Sequence, residues 1–101
     1  MAKAVFGDTV IAEAPLEDLI KIEGNWYFPP SSIQDGFLVD SPTPYNCPWK
    51  GDCQYFSLKD GDQLLQDRAW TYPEPYASGI ARVGKDFGGY VAFWKEVQVV
   101  V

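Results

Sequence analysis

Apolar positions fall along the chain in short groups divided by glycine, proline and aspartate, and nowhere keep a helical period long enough for a helix of ordinary length. Ala4-Val5-Phe6 and Val10-Ile11-Ala12 flank Gly7-Asp8-Thr9, which predicts a hairpin. Leu19-Ile20-Lys21-Ile22-Glu23 alternates in part and is rich in β-branched residues, so it predicts a strand, closed by the turn pair Gly24-Asn25. Trp26-Tyr27-Phe28 runs into Pro29-Pro30, where missing amide hydrogens exclude a central strand, and Ser31-Ser32 before Ile33 reads as the start of one helical turn. Phe37-Leu38-Val39 predicts a short strand bounded by Gly36 and by a proline-rich loop, Ser41-Pro42-Thr43-Pro44.

Cys53 to Leu58 and Gln63 to Thr71 are extended segments around Asp60-Gly61, the clearest hairpin turn in the chain. Polar Asp67-Arg68 inside the second segment predicts a bulge or an edge position. Ala77-Ser78-Gly79-Ile80-Ala81 predicts one weak helical turn, with Gly79, Gly84, Gly88 and Gly89 against anything longer. Tyr90 to Trp94 and Val97 to Val101 complete the set, and the terminal valines require a covering partner. Seven or eight short strands with turns between them make a mainly β sandwich or open barrel.

Composition narrows the function more than the fold. The length of 101 residues fits a single domain, 1–101, and 47% apolar with 16% aromatic residues excludes intrinsic disorder. Eight Lys+Arg against fourteen Asp+Glu leave a net charge of -6, so no basic face is available for nucleic acid, which is not expected as a partner. No apolar run approaches a membrane span and the start is too short for a signal segment, so a soluble, acidic, cytoplasmic protein without a membrane partner is expected. Two cysteines and no histidine cannot complete a structural zinc site and exclude a Ser-His or Cys-His pair within the chain. No metal and no cofactor is implied. Asp60-Gly61-Asp62 is explained by its turn and does not call for magnesium.

The segment richest in chemistry is Tyr45-Asn46-Cys47-Pro48-Trp49-Lys50-Gly51, which sets a thiol, an indole, an ammonium and a flexible glycine together in one loop. This segment, with Glu23-Gly24-Asn25-Trp26-Tyr27-Phe28-Pro29-Pro30, Ala69-Trp70-Thr71-Tyr72-Pro73-Glu74-Pro75 and Gly89-Tyr90-Val91-Ala92-Phe93-Trp94, resembles the family known as domain of unknown function 427. The Cys-Pro-Trp-Lys-Gly run is its signature, and the motifs follow the family's order along essentially the whole chain. The resemblance implies a mainly β, β-tent-like arrangement of two antiparallel sheets with one or two short helical turns and a pocket lined by signature residues. It makes Asn25, Tyr27, Phe28, Cys47, Trp49, Lys50, Tyr55, Trp70, Tyr72 and Phe93 the ligand-binding candidates. The chain departs from the family pattern at Cys53, where a small residue is usual, and near Tyr45, where a threonine is.

Each candidate has two readings. Cys47 is a nucleophile if Lys50 favours its thiolate, or else a buried apolar residue; with Cys53 it makes a redox pair, or simply two thiols. Lys50 holds an anionic substrate or serves as a base, or is a surface lysine whose stem covers Trp49. Trp26, Trp49, Trp70 and Trp94 with Tyr27, Tyr55 and Tyr72 line a cage for a flat or cationic ligand, or fill a β core. Glu23 and Glu74 are an acid or base beside the signature, or ordinary exposed carboxylates. The expected function is a small-molecule-binding domain whose partner is a small organic ligand. The alternative is an enzyme, either thiol-based through Cys47 or nucleotidyltransferase-like, a label some collections give this family. The oligomeric state stays open.

Overall fold

In the computed structural model, which describes residues 1–101, the first two apolar runs form β1 (Ala2–Phe6) and β2 (Thr9–Ala14), an antiparallel hairpin turned by Gly7 and Asp8. Ala2, Ala4, Ile11 and Ala12 are buried. A 3-10 turn over Leu16–Asp18 leads to β3 (Ile20–Ile22) and β4 (Asn25–Phe28). Their connection is Glu23-Gly24, one residue earlier than the expected Gly24-Asn25. Both residues have positive φ, 53° and 82°, as the tight two-residue hairpin loop demands, and Asn25 is released to begin β4. Pro29 ends that strand, and the helical turn expected to start at Ser31-Ser32 spans Pro30–Ser32 and ends there, with the Ser32 hydroxyl donating to the Pro29 carbonyl at 2.6 Å.

The largest departure from expectation is β5 (Leu38–Cys47), a single strand that runs through the predicted proline loop. It is the outer strand of its sheet, so Pro42 and Pro44 deprive no neighbour of an amide donor that the ladder needs. Regular pairing with β6 (Gly51–Asp60) breaks between Asp40 and Pro44, where the Gln54 side-chain amide donates to the Ser41 carbonyl at 3.0 Å. The next hairpin turns at Gly61-Asp62, because Asp60 pairs with Gln63 as the last residue of β6. Along β7 (Gln63–Thr71) the expected bulge lies at Asp67, whose φ is 56° and whose amide donates to the Ser57 hydroxyl.

Helix α1 (Ala77–Val83) runs for seven residues rather than one turn, and ends at Gly84, whose φ of 90° and amide bond to the Ile80 carbonyl close its last turn. The chain finishes with β8 (Val91–Phe93) and β9 (Gln98–Val100). Nine strands thus make two antiparallel sheets, in the orders β2-β1-β9 and β3-β4-β8-β7-β6-β5. The mainly β, two-sheet architecture is the expected one, and pairing with β1 is what covers the terminal strand, although Val100 and Val101 stay exposed. No helix is long and apolar enough to cross a membrane.

One face of the six-stranded sheet packs against the small sheet through Phe28, Leu58, Ala69, Val91 and Phe93. The other carries a second apolar cluster of Ile20, Ile22, Tyr27, Cys47, Trp70, Tyr72, Phe87 and Ala92, with Ile80 and Val83 of α1 packed on it. Side chains alternate across a strand, so neighbours such as Tyr27 and Phe28 belong to opposite cores.

Candidate functional site

Strand parity builds the site. Asn25 and Tyr27 on β4, Tyr45 and Cys47 on β5, Cys53 and Tyr55 on β6, and Trp70 on β7 share the face away from the small sheet, and Tyr72 and Trp94 continue that parity past the ends of β7 and β8. The rings meet edge to face: Tyr27 and Trp70 have centroids 6.2 Å apart at 89°, Trp70 and Trp94 5.4 Å apart at 73°, and Tyr72 and Phe87 6.2 Å apart at 81°. The Trp70 indole donates to the Tyr27 hydroxyl at 3.0 Å. Where α1 and Phe87 do not reach, this face leaves an open cavity of about 230 Å³, walled by Tyr27, Tyr45, Tyr55, Trp70, Tyr72 and Trp94, with Asn25 and Lys50 as its other lining side chains.

The Pro48–Lys50 turn between β5 and β6 sets the lysine. The turn is tied to the start of the helical segment, since the Tyr76 amide donates to the Lys50 carbonyl at 3.0 Å. The backbone of Gly79 fits against the Trp49 carbonyl, leaving no room for a side chain there. Lys50 is no surface residue: its side chain is only 7% exposed. Its ammonium donates to the carboxylate of Glu23, held out at the β3–β4 turn, and stands 5.1 Å from the ring centroids of both Trp49 and Tyr72. On the Trp49 ring it is joined by the Arg82 guanidinium, at 4.3 Å. Only the lysine end of the pair is buried, so Glu23 is the counter-ion of an otherwise desolvated ammonium.

Both cysteines are free, Cys47 buried in the apolar cluster and Cys53 half-buried beside it. Burial pushes the Cys53 thiol up to about 11 against the opposing pull of Lys50, and pushes the Tyr27 phenol up to about 12 against the hydrogen bond from Trp70. Burial likewise raises the Tyr55 and Tyr72 phenols. All these groups are neutral when protonated, and the folded state holds their protons to higher pH than the unfolded chain. Their contribution is therefore complete below about pH 9 and is lost progressively as pH rises toward about 12. Urea midpoints should fall across that window with no matching loss between about pH 7 and about pH 8; a flat midpoint up to about pH 12 would contradict the burial of these hydroxyls. In the same state Cys53 should have roughly a hundredfold less thiolate than an ordinary cysteine, and alkylate correspondingly slowly.

Of the residues expected at the site, Asn25, Tyr27, Lys50, Tyr55, Trp70 and Tyr72 come together around the cavity. Cys47 and Trp49 lie in the apolar cluster beside it. Phe28 and Phe93 do not belong with them: both face the core between the sheets, stacked edge to face at 5.7 Å, because their strand parity is opposite to that of Tyr27 and Ala92. Trp26, on the same side as Phe28, also leaves the cage. Tyr45 is a lining residue that sequence reasoning missed, although it is in phase with Cys47 two residues later. Glu23 is half exposed, as an ordinary carboxylate would be, yet it is the ion-pair partner of Lys50. The available signal was its place at a turn position that favours Asn, Asp or Gly. No three His, Cys, Asp or Glu side chains gather where they would hold a metal ion.

A family model described as a domain of unknown function (DUF427) matches residues 2–101. No curated protein matches the chain.

Proposed function

Since the chain belongs to the DUF427 family, whose description assigns no activity, we propose from the geometry of its site that it is a binding domain for a small organic molecule. The observation that carries this reading is the cavity on the outer face of the large sheet, where aromatic walls surround a single ammonium. Small-ligand sites combine apolar walls with few polar groups in the same way, the walls supplying contact area and the polar groups orientation. Here Tyr55, Trp70 and Trp94 would supply the walls, and Lys50 and Asn25 the orienting contacts. An enzyme acting through Cys47 has less support, since that thiol is 6% exposed and does not line the cavity. A nucleotidyltransferase-like activity has less as well, because no carboxylate lines the cavity and Asp60 and Asp62 stand at a hairpin tip.

A thermal-shift screen of flat heterocycles, organic acids, quaternary amines and nucleoside triphosphates with magnesium tests the reading. A ligand at about a hundred times its Kd stabilises by roughly 2.7 kcal/mol, a rise of about 10 °C or more in a domain of this size. The expected result is a shift by one chemical class that Tyr55→Ala abolishes. A shift untouched by Tyr55→Ala and Trp94→Ala would place the ligand elsewhere.

A further inference from the structure

The lining of the cavity departs from the charge of the chain. Fourteen Asp and Glu outnumber eight Lys and Arg overall, yet no carboxylate lines the cavity and one ammonium does. Asp67 stands in the adjoining depression that shares Tyr45, Tyr55 and Trp94, but one of its oxygens accepts from the Thr43 hydroxyl at 2.7 Å and the other is buried. Two of the cavity's six aromatic walls, Tyr72 and Trp94, already carry a cation of the molecule's own, as does the neighbouring Trp49. Lys50 stands over Tyr72 and Trp49, Arg82 over Trp49, and Lys95 over Trp94 at 4.8 Å. A cation bound against those rings would share them with charges of its own sign, and one bound against the other walls would still face the Lys50 ammonium.

The cavity is instead rich in donors. An ammonium has three, and Glu23 takes one of those on Lys50. The Tyr27 hydroxyl accepts from Trp70 and keeps its own hydrogen to give. About 230 Å³ equals the liquid volume of roughly eight waters, enough for one ring with a short polar substituent. A single ammonium, with no arginine fork in the lining, matches one negative charge better than a phosphate dianion.

From these features, and on the reading of the cavity as a binding site, we infer that its ligand class is the small flat organic monocarboxylate, its carboxylate seated on the Lys50 ammonium in competition with Glu23. Glu23 is then the resident counter-ion. It holds Lys50 in place, and its exposed position at the β3–β4 turn lets it give way to an incoming anion.

Benzoate, benzamide and benzamidinium, nearly identical in shape and differing in charge, test the inference by NMR titration of the Trp70 indole N–H in the intact chain. Benzoate should bind roughly tenfold more tightly than benzamide, and benzamidinium most weakly. Glu23→Gln, at an exposed position where folding is expected to survive, should tighten benzoate by about threefold or more and leave benzamide unchanged. Lys50→Met, which keeps the buried stem, should erase the preference for the anion; if that variant does not fold, the Glu23→Gln result decides alone. Equal binding of benzoate and benzamide at Trp70, or strongest binding of benzamidinium, overturns the inference while the binding site stands. No response of Trp70 to any of the three overturns the cavity as a binding site, and the inference with it.

Discussion

Phe28→Ala is expected to cost about 3–5 kcal/mol, the usual range for emptying a fully buried phenylalanine site. Small domains are stable by roughly 5–15 kcal/mol in total, so the variant should sit near the edge of folding, with a Tm lower by about 15 °C or more. The reason lies in its position. Phe28 is 0% exposed between the two sheets, its ring edge to face with Phe93, and β4 is held on both sides, by β3 and β8, so the cavity cannot collapse cheaply. Leu64→Ala, at a position 63% exposed, should change stability by less than about 0.5 kcal/mol and serves as the reference. Thermal and urea denaturation of the two variants measure the contrast. A Phe28→Ala midpoint close to the reference would contradict the placement of Phe28 in the core and return it to the ligand-binding candidates.

Gly79→Ala should lower the Tm by roughly 8–16 °C, against the direction that helix propensity alone demands. In an exposed helix interior the exchange would gain about 1 kcal/mol. Here the new methyl carbon would come within 2.5 Å of the Trp49 carbonyl oxygen, a backbone atom that cannot rotate away. Forcing the helix and the turn apart costs about 3 kcal/mol, at the upper end for overpacking, and leaves a net loss of about 2. The displaced partner is the turn that carries Lys50, so the amide resonances of Trp49 and Lys50 should move as well. An unchanged or raised Tm would mean that α1 slides freely over the turn and that Gly79 is not what sets their spacing.

The chain made its local features legible and its non-local ones much less so. The Gly7-Asp8 hairpin, the bulge at Asp67 and the chemistry of the Cys47–Gly51 turn each follow from residues adjacent in sequence. Proline tolerance in β5 depends on its being the outermost strand, which is decided by the order of the whole sheet, so Ser41-Pro42-Thr43-Pro44 read as a loop. The burial of Lys50 depends in the same way on a carboxylate 27 residues earlier and on a helix that begins at Ala77. Phe28 and Phe93 teach a different lesson. Alternation already forbids Tyr27 and Phe28 from sharing a face; what no short stretch revealed was that aromatic residues line both faces of the large sheet.

The course of β5 through its prolines also governs what another chain meets at the long edge of the large sheet. An open strand edge offers a row of unpaired amides on which a foreign strand can be templated, the first step of edge-to-edge aggregation. Pro42 and Pro44 remove two donors from that row, and the break in pairing between Asp40 and Pro44 disturbs the line of those that remain. The opposite edge is only the three residues of β3. A sheet with apolar side chains on both of its faces is thereby blunted at both ends against growth by strand addition.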